Sequence, residues 1–265
     1  MRGTVATKET ETLIFSYSRH KGREDTVMKV VFVIAVVFLA VGIFVSDPTA
    51  GPPSDSAAHE HFPMIQSEVR AVTGIVAGQV LTSNGMPSIR MKFDKAFKYA
   101  GTQSFVLYDV ANAEQHFFVD ADKTGRIKRM YWVQFEGYLS NNSHTYKYQV
   151  TKSVNIAGLD FIADAYARNI KANPGRPDSD GSRARSFLES KGYRMASDET
   201  LSQRLVHLAD ERKRNELMII YLEDLSAMGL AAADLAKDGK AATRWDQISK
   251  ELLERALKNM EMSRL

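Results

Sequence analysis

The sequence of 265 residues contains no cysteine. This absence excludes structural disulfides, thiolate metal sites and a cysteine nucleophile. It also excludes attachment of a lipid through a cysteine side chain. Exported domains without disulfides are compatible with a bacterial envelope, so the missing cysteines do not argue against export.

The sequence also lacks a strong excess of positive or negative charge. The 35 Lys and Arg residues stand against 32 Asp and Glu residues, which gives a formal net charge of +3. The densest basic cluster, 212–214, lies in a predicted turn. Basic residues are nowhere clustered and interleaved with aromatic ones as they are in nucleic-acid-binding surfaces. We therefore expect no nucleic-acid partner.

The motifs of common cofactor and nucleophile sites are missing. The chain has no GxGxxG, P-loop, HExxH or GxSxG pattern. The string 120–125, DADKTG, resembles the start of a calcium loop, but its twelfth position is Tyr131 instead of glutamate, so a turn is the better interpretation. The sequence predicts no metal site and no cofactor, and it assigns no catalytic residue.

One long hydrophobic run is present, between Val30 and Val45, and no charged or polar side chain interrupts it. With its flanks it forms the segment 28–46. At about 1.5 Å per residue this segment matches the roughly 30 Å hydrocarbon core of a bilayer. Lys29 stands at its start, where a long side chain reaches the headgroups. We predict a membrane contact through 28–46, as a transmembrane signal-anchor or as a signal peptide.

The flanking charges predict the orientation of this segment. Residues 1–29 carry six Lys and Arg side chains, whereas 46–69 carry none. Positively charged flanks stay in the cytoplasm. Residues 47–265 are therefore expected outside the cytoplasm, in a periplasmic or extracellular location.

Two interpretations of the apolar segment stay open. If Met28 is the true start, residues 28–50 are a secretory signal, and the remainder is secreted after cleavage. For cleavage after Ala50, a small residue is required at the position of Pro48, so the proline favours an uncleaved anchor. Residues 1–27 are predicted to be a disordered cytoplasmic tail or a misannotated start, and 47–64 a flexible linker.

The remaining residues, 65–265, are predicted to form a single exported α+β domain. As far as Val150 the pattern indicates strands, because apolar and polar residues alternate and turn residues such as Gly101 separate the runs. The predicted strands are 91–99, 104–110, 115–121, 127–139 and 145–150. Short turns between consecutive strands favour an antiparallel arrangement.

Further along, apolar residues recur at helical spacing. The predicted helices are 158–170, 183–191 and 246–260. A hairpin is predicted from 201–208 and 216–225, with its second strand buried. Strands in runs and helices in runs predict an α+β fold: an N-terminal transmembrane or signal helix, then a curved antiparallel sheet packed by two or three helices.

A candidate site lies on the strand 127–139. Alternation places Ile127, Tyr131, Val133 and Phe135 on one face and Met130, Trp132, Gln134 and Glu136 on the other. The second face combines a large aromatic ring with an amide and a carboxylate, groups that supply contact area and orientation in a ligand pocket. The residues predicted to bind a ligand are Trp132, Tyr131, Gln134, Glu136 and His116. The alternative is an ordinary sheet with a partly solvated outer face.

Three functions from different classes follow. The first is a membrane-anchored or exported domain that binds a small or apolar ligand in a sheet-lined pocket. The second is a structural or protein-interaction module of the cell envelope. The third is a hydrolase-type enzyme in which Glu136 acts with His116 or His144 as acid and base. Residue types give no distances, so the sequence leaves all three open, and the oligomeric state as well.

Overall fold

Strands dominate the computed structural model, which describes residues 73–150 and 152–265. The strands in this part of the chain are β1 (Gly74–Ala77), β2 (Val80–Ser83), β3 (Ile89–Phe93), β4 (Lys98–Leu107), β5 (Ala111–Ala121), β6 (Arg126–Tyr138), β7 (Ser153–Ile156), β8 (Leu159–Asn169), β9 (Arg194–Met195), β10 (Glu199–Leu208), β11 (Asn215–Asp224) and β12 (Met260–Arg264). The α-helices there are α1 (Asp180–Ser190), α2 (Ala232–Leu235) and α3 (Trp245–Lys258). Antiparallel sheet with few helices is α+β in character, so this part of the fold prediction is confirmed.

The strands form two sheets. The larger sheet has the order β4-β5-β6-β11-β10-β8-β7 with antiparallel neighbours, and the short β9 pairs in parallel with the start of β6. The smaller sheet has the order β1-β2-β3-β12. The sequence patterns do not predict this second sheet. Two of its strands are four residues long, and β12 follows α3 after a single residue.

The main hydrophobic core lies between one face of the larger sheet and a layer made of the smaller sheet and α3. Tyr131 and Tyr221 enter it from the larger sheet, Phe93 from the smaller sheet and Leu252 from α3. The ring centroids of Phe93 and Tyr131 are 4.8 Å apart, a favourable distance for an aromatic pair. Complete burial of such side chains contributes about 1.5–3 kcal/mol each, which holds the layers together.

A smaller hydrophobic cluster lies on the opposite face of the larger sheet, beneath α1. The helix begins after Ser179, whose Oγ accepts a hydrogen bond from the backbone N–H of Ser182 at 3.2 Å and so caps the first turn. It buries Ala184 and Leu188 on the side that faces the sheet. The larger sheet is therefore covered on both faces, by α1 on one and by α3 with the smaller sheet on the other.

The helix predicted over 158–170 is wrong, because this segment is the strand β8, paired with β7 and β10. Leu159 and Phe161 belong to the main core, whereas Ile162 and Tyr166 lie on the α1 side. A strand that buries apolar side chains on both faces loses its period of two. The spacing that remains resembles that of an amphipathic helix.

Three strand predictions are also corrected. The segment 145–150 is not a strand, and its Tyr146 and Tyr148 hydroxyls instead bind carboxylates on the α1 side of the larger sheet. The alternation over 91–99 spans the end of β3 and the start of β4, with a turn between them. Gly101 does not interrupt a strand, since it lies within β4 at a bulge, where its φ of 135° suits glycine.

The other predicted elements of the second half are confirmed. The hairpin expected at 201–208 and 216–225 is β10 and β11, paired over nine positions. The helices expected at 183–191 and 246–260 are α1 and α3, with α1 beginning three residues earlier than predicted. These elements either end at strong turn residues or carry a clear apolar stripe along their length, which is why the sequence defines them.

Within 73–150 and 152–265, none of the helices combines the length and the apolar character that crossing a membrane requires. The predicted tail 1–27, the membrane segment 28–46 and the linker 47–64 lie outside the described residues. Their assignment stays a prediction from the sequence.

Candidate functional site

A cavity of about 320 Å³ lies between α1 and the larger sheet. Its floor is formed by four strands, on which Met130, Leu222, Ser202 and Tyr166 stand directly opposite one another in register. Trp132, two positions along β6, adds its indole to the same floor. A concave site of this volume with a mostly apolar lining has the dimensions of small-molecule pockets, roughly 300–1,000 Å³.

The roof of the cavity is α1 with the loop that precedes it. Ala184 and Leu188 face the floor from the helix, and the loop closes one side with Pro174. Two arginines hold this loop in place. Arg168 donates a hydrogen bond to the backbone carbonyl of Asn173, and Arg185 Nη2 donates to the carbonyl of Pro174 at 3.2 Å. The side chains that border the cavity thus also position its wall.

Polar side chains interrupt the apolar floor, and two of them, Tyr166 and Ser202, stand opposite each other. Ser202 is 1% exposed, and its register partner across the β8–β10 pair is Tyr166. Burial raises the pKa of the Tyr166 phenol, so the hydroxyl keeps its proton at neutral pH and is able to donate. The indole nitrogen of Trp132 has no hydrogen-bond partner among the described residues. An acceptor atom on a bound molecule would therefore find a protonated phenol and a serine hydroxyl in the floor.

A chain of side-chain hydrogen bonds runs beside the cavity on the same face. Gln115 Nε2 donates to Gln134 Oε1 at 2.7 Å, and Gln134 Nε2 donates to Glu136 Oε2 at 2.6 Å. The Tyr146 hydroxyl donates to the other oxygen of Glu136 at 2.8 Å. Gln115 Nε2 also lies 3.2 Å from the carbonyl oxygen of Asp180. This polar ladder therefore ties the first turn of α1 to the sheet.

A second buried carboxylate stands next to Glu136. Glu216 on β11 is its register partner, and the Tyr148 hydroxyl donates to Glu216 Oε2 at 2.6 Å. Burial raises the pKa of Glu216 to about 7, against the effect of the Tyr148 hydrogen bond, and the neighbouring Glu136 raises it further. Burial likewise raises the pKa of Glu136. Two carboxyl groups that resist ionisation are thus held beneath the segment that carries Tyr146 and Tyr148.

The structure separates the five residues predicted to bind a ligand. Trp132 lines the cavity, while Gln134 and Glu136 share its face of the sheet but belong to the polar ladder. Tyr131 lies on the opposite face, fully buried, and donates a hydrogen bond of 2.6 Å to the carbonyl oxygen of Ala256 in α3. It supports the main core, and only Trp132 of the predicted set borders the cavity.

His116 also lies on the face away from the cavity. Its Nε2 is 2.7 Å from Glu114 Oε1, and Glu114 accepts backbone hydrogen bonds from Thr73 and Gly74. Although burial opposes ionisation, the hydrogen bonds from His116 and from these amides lower the pKa of Glu114. The pair ties β1 to the larger sheet. Because Glu136 is on the other face, the two groups do not form the acid–base pair that the sequence suggested.

The alternation predicted for β6 holds from Met130 onward and fails before it. Ile127 belongs to the cluster beneath α1, together with Met130, instead of lying on the face of Tyr131. The pairing of β5 with β6 shifts between Asp120 and Ala121, so one extra residue of β6 stands in the ladder. A β-bulge of this kind transfers the preceding side chains to the opposite face.

Several residues that form the cavity are missing from the sequence prediction. Tyr166 and Arg168 lie on β8, which the sequence pattern assigns to a helix, and Ser202 is a small residue within an apolar strand. The segment 173–183, NPGRPDSDGSR, which comprises the loop and the first turn of α1, carries the strongest signal, since it combines turn residues with arginines. Its proximity to Trp132 depends on the sheet order, which a sequence pattern does not define.

Comparisons with protein-family models, with curated proteins and with solved structures of other proteins give no match to this chain. Among the described residues, no group of three or more His, Asp or Glu side chains is placed to hold a metal ion. The function has to be inferred from the cavity and the side chains around it.

Proposed function

We propose that residues 65–265 form a binding domain for a small, largely apolar molecule, which occupies the cavity between α1 and the larger sheet. The observation that carries this proposal is the cavity itself, about 320 Å³, with Met130, Trp132 and Leu222 in its floor. The polar pair of Tyr166 and Ser202 would orient one polar atom of the bound molecule.

Packing supports occupancy. Protein interiors are close-packed and contain few voids larger than a water molecule. The main core on the other face of the sheet follows this rule with closely spaced aromatic rings. The space bordered by Met130, Trp132, Ile220 and Leu222, which opens at the mouth beside α1, lacks such packing, and an apolar guest would supply the missing contacts there.

The proposal includes the location of the domain. Residues 28–46 would hold the chain at the membrane, and 47–64 would link them to a domain outside the cytoplasm. The asymmetry of Lys and Arg around the apolar run supports this orientation. Protease added to cells with a permeabilised outer layer and an intact cytoplasmic membrane should digest 65–265. A domain protected until the cytoplasmic membrane is broken would contradict the orientation.

Binding is tested with the full-length chain in detergent micelles and N-phenylnaphthylamine, an uncharged apolar fluorophore. We expect saturable, one-to-one binding with an emission increase. Ala184→Phe places a ring from α1 into the cavity and should weaken this binding at least tenfold. Ser186→Phe is the matched control. Ser186 is exposed on the same helix, so this substitution adds the same side chain outside the cavity.

Circular dichroism and thermal unfolding of both variants establish that they are folded. Native mass spectrometry of the wild-type chain provides a second readout, in which a co-purified molecule appears as an added mass that is lost on unfolding and is absent from Ala184→Phe. Equal binding of the probe by wild type, Ala184→Phe and Ser186→Phe, all folded, would show that it enters micelles or another surface and would overturn the proposal.

A further inference from the structure

We infer that the molecule bound in this cavity is a small organic anion, with an apolar body on the sheet and a negatively charged head at the arginines of the mouth. The inference rests on the proposed function. Its basis is the charge of the lining: Arg168, Arg176 and Arg185 border the cavity, and Asp180 is the single acidic residue among the residues that line it.

The three guanidinium groups retain free donors. Each has five N–H groups. Those of Arg168 and Arg185 donate to the loop carbonyls of Asn173 and Pro174, and Arg176 lies over the ring of Tyr108, 4.4 Å from its centroid. Within the described residues none of the three forms a salt bridge with a carboxylate. Their charge is therefore not neutralised inside the protein.

Asp180 does not cancel this positive charge at the mouth. Its Oδ1 accepts a hydrogen bond of 2.7 Å from the backbone N–H of Gly181, so its carboxylate is turned toward the start of α1. The lining at this end of the cavity therefore carries three cations against one anion. A carboxylate, sulfonate or phosphate accepts the planar fork of an arginine in charge-assisted hydrogen bonds, which are stronger than neutral ones.

The neighbouring surface does not compete for the anion. A second hollow of about 320 Å³ shares Arg185 with the cavity. Its other charged residues are balanced, with Glu189 and Asp198 against Lys171 and Arg194. With Arg185 included, that hollow has three basic and two acidic residues, whereas the cavity has three basic residues and one acidic residue. The larger excess of positive charge therefore lies at the cavity, where the loop meets α1.

The volume limits the class of anion. About 320 Å³ is at the lower end of the range for ligand pockets, so the body corresponds to one or two rings or a short chain. A two-chain membrane lipid exceeds this space. We therefore assign the site to a free organic acid of this size and not to a lipid that remains in the bilayer.

The test compares two probes that share the same aromatic rings. Anilinonaphthalene sulfonate carries one negative charge, and N-phenylnaphthylamine carries none. With the full-length chain in uncharged detergent at low salt, we expect the sulfonate to bind about tenfold more tightly. Arg185→Gln should reduce the affinity for the sulfonate about fivefold more than that for the neutral probe, because both probes depend on the loop that Arg185 holds but only the sulfonate carries a charge. Arg183→Gln is the matched control, because Arg183 lies on the same helix but stacks on Phe105 outside the cavity.

Arg176→Gln provides a second variant, since its exposed side chain can be replaced with little effect on folding. The inference is supported if the sulfonate binds more tightly than the neutral probe, and if this advantage decreases in Arg176→Gln, in Arg185→Gln and at high salt. Equal affinities for the two probes, both lost in Ala184→Phe, would overturn the anionic head while leaving the apolar pocket intact. Binding of either probe that Ala184→Phe does not reduce would overturn the pocket and the inference together.

Discussion

The two faces of the larger sheet are built from the same strands but differ in what they hold. On the α3 side, Tyr131 and Val133 of β6 are completely buried in a core of closely spaced rings. On the α1 side, Trp132 borders a cavity, and Gln134 stands in a chain of hydrogen bonds that ends at Glu136. Adjacent residues of β6 thus contribute to two different environments: a closed hydrophobic core on one face, and on the other face a cavity beside polar and ionisable side chains.

This difference separates stability from binding. The α3 side buries aromatic side chains, and the hydroxyl of Tyr131 there donates a hydrogen bond to α3. The α1 side leaves space and keeps Glu136 and Glu216 buried at a cost in free energy. Features that lower stability tend to persist where a protein acts on other molecules. The predictions below test this division, from the largest expected effect to the smallest.

The largest contrast is expected from two neighbours on β11. Ile219 is buried in the main core, and Ile220 borders the cavity. Ile219→Ala should reduce the free energy of unfolding by about 4 kcal/mol, and Ile220→Ala by about 2 kcal/mol, because a new void forms in the first case and an existing one grows in the second. Urea unfolding of both variants measures this difference. Equal losses would mean that the two faces are packed alike.

The α1 side should make the protein less stable as the pH rises. The pKa of Glu216 is about 7 in the folded protein against an ordinary value of 4.5, so the folded state retains a proton that the unfolded chain releases between these values. The free energy of unfolding therefore falls by about 3 kcal/mol from pH 4.5 to pH 7 through this group. Glu216→Gln should flatten this slope, whereas the exposed Glu211→Gln should leave it unchanged. An unchanged slope in Glu216→Gln would contradict the burial of this carboxyl group.

The carboxylate on the other face should act in the opposite direction. The pKa of Glu114 is lowered, so its stabilising effect is complete above about pH 4.5 and is lost as the pH falls through its folded value. Glu114→Gln should therefore destabilise the protein at neutral pH. The stability of this variant should also decrease less steeply on acidification than that of the wild type. Thermal unfolding from pH 7 down to pH 3 measures this, and a variant as acid-sensitive as the wild type would rule it out.

The smallest effects concern two buried alanines on opposite helices. Ala184 of α1 faces the cavity, and Ala256 of α3 faces the main core. Ala256→Leu should reduce the free energy of unfolding by about 2 kcal/mol through overpacking, whereas Ala184→Leu should change it by less than about 0.5 kcal/mol because space is present. A loss of stability in Ala184→Leu as large as in Ala256→Leu would show that the cavity closes in solution.

Local patterns predict those parts of the fold that have one buried face or clear boundaries. The stripe of Ile248, Leu252 and Ala256 defines α3, and the apolar centre of β11 defines a buried strand. The antiparallel α+β class follows from the order of such elements. The sequence predicts Trp132 as a ligand-binding residue because its face of the strand combines a large aromatic ring with an amide and a carboxylate.

The parts of the fold and of the cavity that the sequence does not predict depend on contacts between distant segments. The spacing on β8 is ambiguous, because Phe161 and Ile162 are directed to different faces and both meet apolar surroundings. The cavity joins β6 to a loop some 40 residues further along, through a strand order that no local pattern encodes. Tyr166 and Arg185 could therefore not be identified as neighbours of Trp132 before the sheet was known.

The pairing of β12 with β3 has a consequence for synthesis. Lys92 and Glu261 bind each other 3.4 Å apart across this pair, although 169 positions separate them in the chain. A ribosome that adds about 5–20 residues per second needs roughly 10–30 s between the two strands. During this interval the backbone groups of β3 that later pair with β12 are open to other chains, and Met91 and Phe93 lack their final cover. Until β12 has been synthesised, β3 therefore presents an unpaired edge, and the smaller sheet lacks its fourth strand.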